Sequence, residues 1–279
     1  MRSILALSIL VGCARAPVEA PSEIGELGLF LFEHFEDPEP ELIGAGWLNL
    51  AGFLQGVDYS LSADERALTM PPLDGPSLGG LSIPEGAQAA DQVPVAISGE
   101  SLYPLDDQLQ LMTDPNQTCI ESSSTVWAGR TFSTDVACFE SGACERLETE
   151  TEVRKDSFFA KVWYDQHKTY RRFEVEDSEG GVLELIAGRA WTDQVFEGDS
   201  GVNSWDQLFH LDVYLADGPR TLRWFSMWSS LSVAGLGDDA YSNLVVNGLE
   251  EALRFGDEYI AGVQTSCTHD RSAPRPERR

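Results

Sequence analysis

Residues 146–154 read Arg-Leu-Glu-Thr-Glu-Thr-Glu-Val-Arg, an unbroken alternation that only an extended chain can use. Leu147, Thr149, Thr151 and Val153 fall on one side, and Glu148, Glu150, Glu152 and Arg154 on the other. Successive side chains of a strand point to opposite faces, so one face here is wet and the other lies against a core. The signature continues downstream. Apolar-rich runs occupy 157–164, 169–177, 182–191 and 220–233, and Trp205, Gln207, Phe209, Leu211, Val213 and Leu215 share a face in between. Polar breaks such as Ser178-Glu-Gly-Gly181 and Asp217-Gly218 suit tight turns. Consecutive strands joined this way make an antiparallel meander.

A sheet of this kind must bury its apolar face under another layer, and both ends of the chain offer helices. Ser22 can cap a helix carrying Ile24, Leu27, Leu31 and Phe35 at helical spacing, which Pro38 and Pro40 stop. A second helix from Glu41 lines up Ile43, Trp47, Leu50 and Leu54 and ends at Gly56, and Ser62-Ala-Asp-Glu65 is a capping box for a short third. A last helix over 239–261 carries Val245, Leu249, Leu253 and Ile260. The expected fold class is therefore α+β: an antiparallel β-meander sheet with N-terminal helices and a C-terminal helix packed on it. One body spans 22–267, made of a helical segment 22–70, a loop-rich linker 71–100 full of proline and glycine, and a β-rich part 101–267. Residues 268–279 read as a disordered basic tail.

Hydrophobic residues make up 42% of the chain, enough for a sizeable core, while 46 acids against 19 Lys and Arg give a net charge of -27. Such a surface repels phosphate backbones, which excludes nucleic acid as a partner. The chain has only three lysines, Lys155, Lys161 and Lys168.

Residues 4–11 form an apolar run behind Arg2. The run is far shorter than the ~20 residues needed to span a bilayer, and it has the size of a signal-peptide core. It ends in Leu10-Val11-Gly12-Cys13, which resembles the lipobox of bacterial lipoproteins. The resemblance covers the leader and its cleavage site alone. It implies removal of residues 1–12 as a signal peptide and acylation of Cys13, with residues 13–21 as lipidated cysteine and tether. Several acyl chains on one cysteine hold stably where one is marginal. The resemblance also implies sorting to the outer membrane, on its periplasmic or surface face, because the residue after the cysteine is the non-acidic Ala14. The partners expected are thus the membrane itself, through Cys13, and an envelope protein or a small-molecule ligand.

Four cysteines remain, Cys119, Cys138, Cys144 and Cys267. An even count in an exported chain reads as two disulfides, and the spacing suits no zinc site. Of the three pairings, Cys138 with Cys144 and Cys119 with Cys267 is preferred, because residues 139–143 can turn the chain back on itself.

No catalytic or cofactor signature survives a physical check. Gly198-Asp-Ser200-Gly201 resembles the nucleophile motif of chymotrypsin-like serine proteases, but Val202 stands where that family has a further glycine. Neither His34 nor His167 lies in the family's histidine context. Gly75-Pro-Ser77-Leu-Gly79 fits the bare pattern of a nucleophile elbow without the preceding strand or the following helix. Phosphate loops, metal-ligand spacings and calcium loops do not occur, so no cofactor and no metal is expected.

The positive feature is aromatic. Trp205, Trp224 and Trp228 cluster with Arg223 in neighbouring strands, which suits a sheet core or a binding groove. Trp224 and Trp228 share a face with Leu222 while Phe225 and Met227 take the other, so both faces need a cover or one binds a partner. The expectation is a face carrying Trp224 and Trp228 that solvent reaches in part, in an envelope lipoprotein with a non-catalytic binding or structural role. The alternative function is a serine-dependent hydrolase using Ser200 or Ser77.

Overall fold

The structure is a computed structural model that describes residues 19–37, 40–157, 161–199 and 203–263. The expectations for the leader, Cys13, Ser200, Cys267 and the tail lie outside the described residues.

The helices α1 (Ile24–Glu33), α2 (Pro40–Gln55) and α3 (Ala63–Arg66) come first, followed by the short strand β1 (Leu68–Thr69). Then come β2 (Val93–Ser101), α4 (Leu105–Thr113), β3 (Thr125–Phe132) and α5 (Val136–Glu140). The remaining described strands are β4 (Arg146–Asp156), β5 (Lys161–Glu176), β6 (Val182–Trp191), β7 (Phe196–Glu197), β8 (Asn203–Asp217) and β9 (Arg220–Val233), and α6 (Asp238–Ile260) is the last described element. One nine-stranded sheet has the order β1-β2-β9-β8-β6-β5-β4-β3, with β7 paired to β8 off this path. The pairings are antiparallel, as an α+β meander requires.

β2 departs from the meander. It lies early in the chain yet pairs with the last strand, from Val93 opposite Ser229 to Ser101 opposite Thr221. Part of the stretch expected to be a linker is therefore a strand inside the sheet. Consecutive residues from Val95 to Gly99 are buried, so β2 shows no polar–apolar alternation to read.

Both faces of the sheet are covered. On one, α1 and α2 set Leu27, Leu31, Phe32, Trp47 and Leu50 against Phe209, Leu211, Leu222, Trp224 and Trp228. On the other, α4 and α6 set Leu109, Met112, Val245, Leu249 and Leu253 against Ile97, Ile186, Tyr214 and Phe225. The expected solvent-reachable face does not exist: Trp224 and Trp228 are 0% exposed. Phe53 meets the Trp224 ring edge-on at 5.7 Å, and Phe32 meets Trp228 at 5.5 Å. Trp228 Nε1 also donates to the Pro71 carbonyl at 2.8 Å. The two layers that such a strand needs are supplied by the chain's own helices.

Trp205 is corrected for a different reason. The pairing of β8 with β9 slips between Trp205 and Gln207. A bulge of this kind sets two residues against one and breaks the alternation. Trp205 therefore leaves the face of Phe209 and Leu211 and packs on the α6 side, its ring 5.1 Å from Tyr164.

Local details follow the chemistry of the ends. α1 is capped by Glu23 rather than Ser22, through a 2.8 Å bond from the Glu26 amide, and the Ser62–Glu65 capping box is present on α3. Cys138 and Cys144 form the expected disulfide at α5. Cys119 is disulfide-bonded and buried; its expected partner, Cys267, lies outside the described residues.

Candidate functional site

A cavity of ≈ 330 Å³ lies between the sheet and α6. Part of its wall is a cluster of side chains that packs over β6. On the face toward α6 that strand carries Gly188 and Ala190. In register beside them stand Tyr170 and Lys168 of β5 and Asp212 and His210 of β8. Two small residues between two rows of large ones leave a trench along the middle of the sheet. A Cβ on Gly188 would lie 2.8 Å from the Tyr170 ring and 2.9 Å from Lys168 Cε, too close for either to stay where it is. Gly188 thus lets the Lys168 side chain cross β6 and reach Asp212, two strand spacings or ~10 Å away.

Lys168 and Asp212 are buried over β6. The Lys168 ammonium bonds Asp212 Oδ2, and His210 Nδ1 stands 2.9 Å from Asp212 Oδ1. Burial acts to raise the Asp212 carboxyl, but His210 and Lys168 together hold it well below the usual carboxylate range. Burial likewise works against the Lys168 ammonium, and Asp212 reverses this and leaves it raised. His210 Nε2 is buried without a hydrogen-bond partner among the described residues. Burial pushes the Tyr164, Tyr214 and Tyr241 phenols up, so they line the cavity as neutral hydroxyls.

Two further ion pairs brace the walls. Arg223 meets Asp257 of α6 at 3.1 Å, and Ser101 donates to the same carboxylate at 2.6 Å, which ties the helix to β2 and β9. Lys155 of β4 bonds Glu121 at 3.0 Å, Ser122 at 3.1 Å and Thr125 at 2.5 Å, which fixes the loop ahead of β3. Ser123 in that loop takes Glu251 of α6 through its amide at 2.8 Å and its hydroxyl at 3.1 Å. Ser123 and Asn247 are exposed and line the cavity, so its mouth lies between residues 122–124 and α6. Apolar side chains complete the chamber, among them Ile120, Val162, Leu208, Phe225, Met227 and Leu249.

No family model and no curated protein matches the chain. Several solved structures are similar to it. One is the STAR-related lipid transfer protein (fragment 25–204) from Xanthomonas axonopodis, with 10% identity over 60% of this chain and 85% of that chain, at a TM-score of 0.41. Another is a START superfamily protein from Mycobacterium smegmatis, 10% identical over 61% of this chain and 99% of that chain, TM-score 0.39. A third is the ZhuI aromatase/cyclase from Streptomyces sp. R1128, 10% identical over 62% and 93%, TM-score 0.36. The functional reading rests on the cavity and not on these likenesses.

The residues singled out from the sequence are divided by the sheet. Trp205 and Arg223 line the cavity, whereas Trp224 and Trp228 belong to the opposite core. Ser77 sits in an exposed turn, where its hydroxyl donates to the Asp74 carbonyl at 2.7 Å and accepts from the Asp74 amide at 2.9 Å. That turn is a short 3₁₀ segment, Gly75–Leu78, and not a strand-to-helix elbow. The residues that sequence reasoning missed are Lys168, Asp212, His210 and Arg130. One signal was available: charged or polar side chains at alternate positions 210–214 and 164–170, on the face that an apolar strand turns inward.

Proposed function

We propose that this protein binds one small amphipathic molecule inside the cavity between the sheet and α6, without transforming it. The observation that carries this is the cluster of Lys168, His210 and Asp212, seated over Gly188 and Ala190, beside a chamber with apolar walls. A volume of ≈ 330 Å³ is in the range of small-molecule sites, which combine mostly apolar walls with a few convergent polar groups. A buried ionic cluster is a poor source of stability, since filling the same space with apolar side chains is often neutral or better. A binding role gives such a cluster a reason to be there.

On the strength of Leu10-Val11-Gly12-Cys13, the proposal extends to location: acyl chains at Cys13 tether the binding body to the outer membrane, through a linker ending near Pro21. An amphipathic ligand and a membrane-tethered carrier are mutually consistent, because such ligands partition into bilayers.

The test is native mass spectrometry of the protein after incubation with the ten-carbon amphiphiles decanoate and decanol. The expected result is a saturable adduct of one molecule per chain. Absence of any retained adduct, or unsaturable multiple binding, would overturn the reading.

A further inference from the structure

We infer that the ligand is an anion whose carboxylate head is received by Arg130 and Tyr170. This rests on the cavity being a binding site, as proposed above.

The cations that line the cavity are distinguished by their partners. Lys155 is paired with Glu121, Lys168 with Asp212, and Arg223 with Asp257. Arg130 lines the cavity, is 7% exposed, and pairs with no carboxylate among the described residues. Its contacts are neutral. Nε donates to Thr151 Oγ1 at 3.3 Å, and Nη1 to the carbonyls of Leu111 at 3.3 Å and Met112 at 2.7 Å. Nη2 donates to the Tyr170 hydroxyl at 3.4 Å. The two carbonyls sit in the last turn of α4, whose partial negative charge offsets some of the guanidinium but not all of it. The same region holds a second cation. Arg130 Cζ lies 5.6 Å and Lys168 Nζ 4.8 Å from the centroid of the Tyr170 ring. The carboxylate beside Lys168 is already shared with His210. The Arg130 guanidinium is thus left beside the cavity with no paired carboxylate among the described residues, in a chain whose net charge is -27. Buried charges are ordinarily paired, and an anion in the adjoining cavity would complete this one.

The free donors match a carboxylate. A guanidinium has five N–H groups. Those on Nε and Nη1 are engaged, and one of the two on Nη2 is given to Tyr170, which leaves one N–H. The Tyr170 oxygen accepts from Arg130, and its own O–H proton has no acceptor among the described residues. Two donors on atoms 3.4 Å apart suit the two oxygens of one carboxylate. A phosphate monoester would bring roughly −1.5 to −2 charges and three acceptor oxygens to a site with one guanidinium lacking a paired carboxylate and two donors.

The experiment measures the affinity of the full chain for decanoate, decanol and decyl phosphate by calorimetry at neutral pH. In the wild type, decanoate should bind about tenfold or more tightly than decanol, as charged hydrogen bonds imply. Arg130→Gln and Tyr170→Phe should each lower decanoate affinity toward that of decanol, by a larger factor than either lowers decanol affinity. The wild-type comparison stands even where a variant folds poorly, which circular dichroism would show. Equal binding of acid and alcohol overturns the anionic head and leaves the cavity reading intact. Tighter binding of decyl phosphate overturns the carboxylate. A preference for decanoate that survives both substitutions overturns the assigned residues. Failure of all three amphiphiles to bind overturns this inference together with the reading beneath it.

Discussion

Asp212 holds two partners at once, the Lys168 ammonium on one oxygen and His210 Nδ1 near the other, at a position 2% exposed. Its carboxyl is depressed in the folded chain. A depressed carboxyl contributes stability that is fully present above its unfolded value, about 3.9, and is lost as the pH falls toward the folded value. Wild-type stability should therefore fall on acidification below about pH 4, and Asp212→Asn should show a shallower fall. At pH 7 that variant should be ~3–5 kcal/mol less stable, because Lys168 is left buried without its partner. Urea unfolding at the two pH values checks both statements, and a variant as stable as the wild type at pH 7 would contradict them. Trp224 makes the converse case. It is fully buried on the side away from the cavity. Trp224→Ala should cost ~3–5 kcal/mol in the same unfolding measurement. Decanoate affinity of the folded fraction should not change, and a loss of affinity would mean that the two faces of the sheet are not independent.

At the scale of elements, the readable parts of the sequence were those with one wet face. β4 announced itself by alternation because Glu148, Glu150 and Glu152 face away from the core. α1, α2 and α6 showed the helical stripe that each buries. The unreadable parts were those without such contrast. β2 is buried on both faces over Val95 to Gly99, so it resembled the loop that precedes it. Trp205 obeyed the alternation of β8 on paper, and the bulge beside Gln207 put it on the other side. The cavity was harder still. Its polar wall depends on which residues of β5 and β8 stand together over Gly188 and Ala190, which is a matter of register and not of local pattern. The covers for both faces of β9 were expected on physical grounds, but the expectation undervalued α1 and α2, which are enough to close the face of Trp224 and Trp228.

For the whole molecule, the contrast is between the surface and the interior. The net charge is -27, yet two of the three lysines, with Arg130 and Arg223, line the cavity. Three of these cations are paired with carboxylates, and Arg130 alone among them is left to receive the charge of an amphiphile. An anchor at Cys13, as proposed above, would keep the protein beside a bilayer that can supply such molecules. Cys13→Ser should leave the protein in the soluble envelope fraction or retained with its leader uncleaved, as judged by fractionation and mass. Normal maturation and outer-membrane fractionation of this variant would contradict the anchor.

The cavity itself is tested most directly at its mouth. Gly248 of α6 lines the cavity, and a Cβ there would meet only Ser122 Cβ, at an ordinary 3.8 Å. Leucine at this position raises helix propensity by up to about 1 kcal/mol, so the fold tolerates it while its side chain occupies the entrance. The measurement is decanoate affinity of Gly248→Leu beside its melting temperature. The account predicts a melting point no lower than wild type and an affinity reduced by about tenfold or more, the equivalent of ~1.4 kcal/mol. A folded Gly248→Leu protein that binds decanoate as tightly as the wild type would contradict the claim that the ligand enters and occupies this cavity.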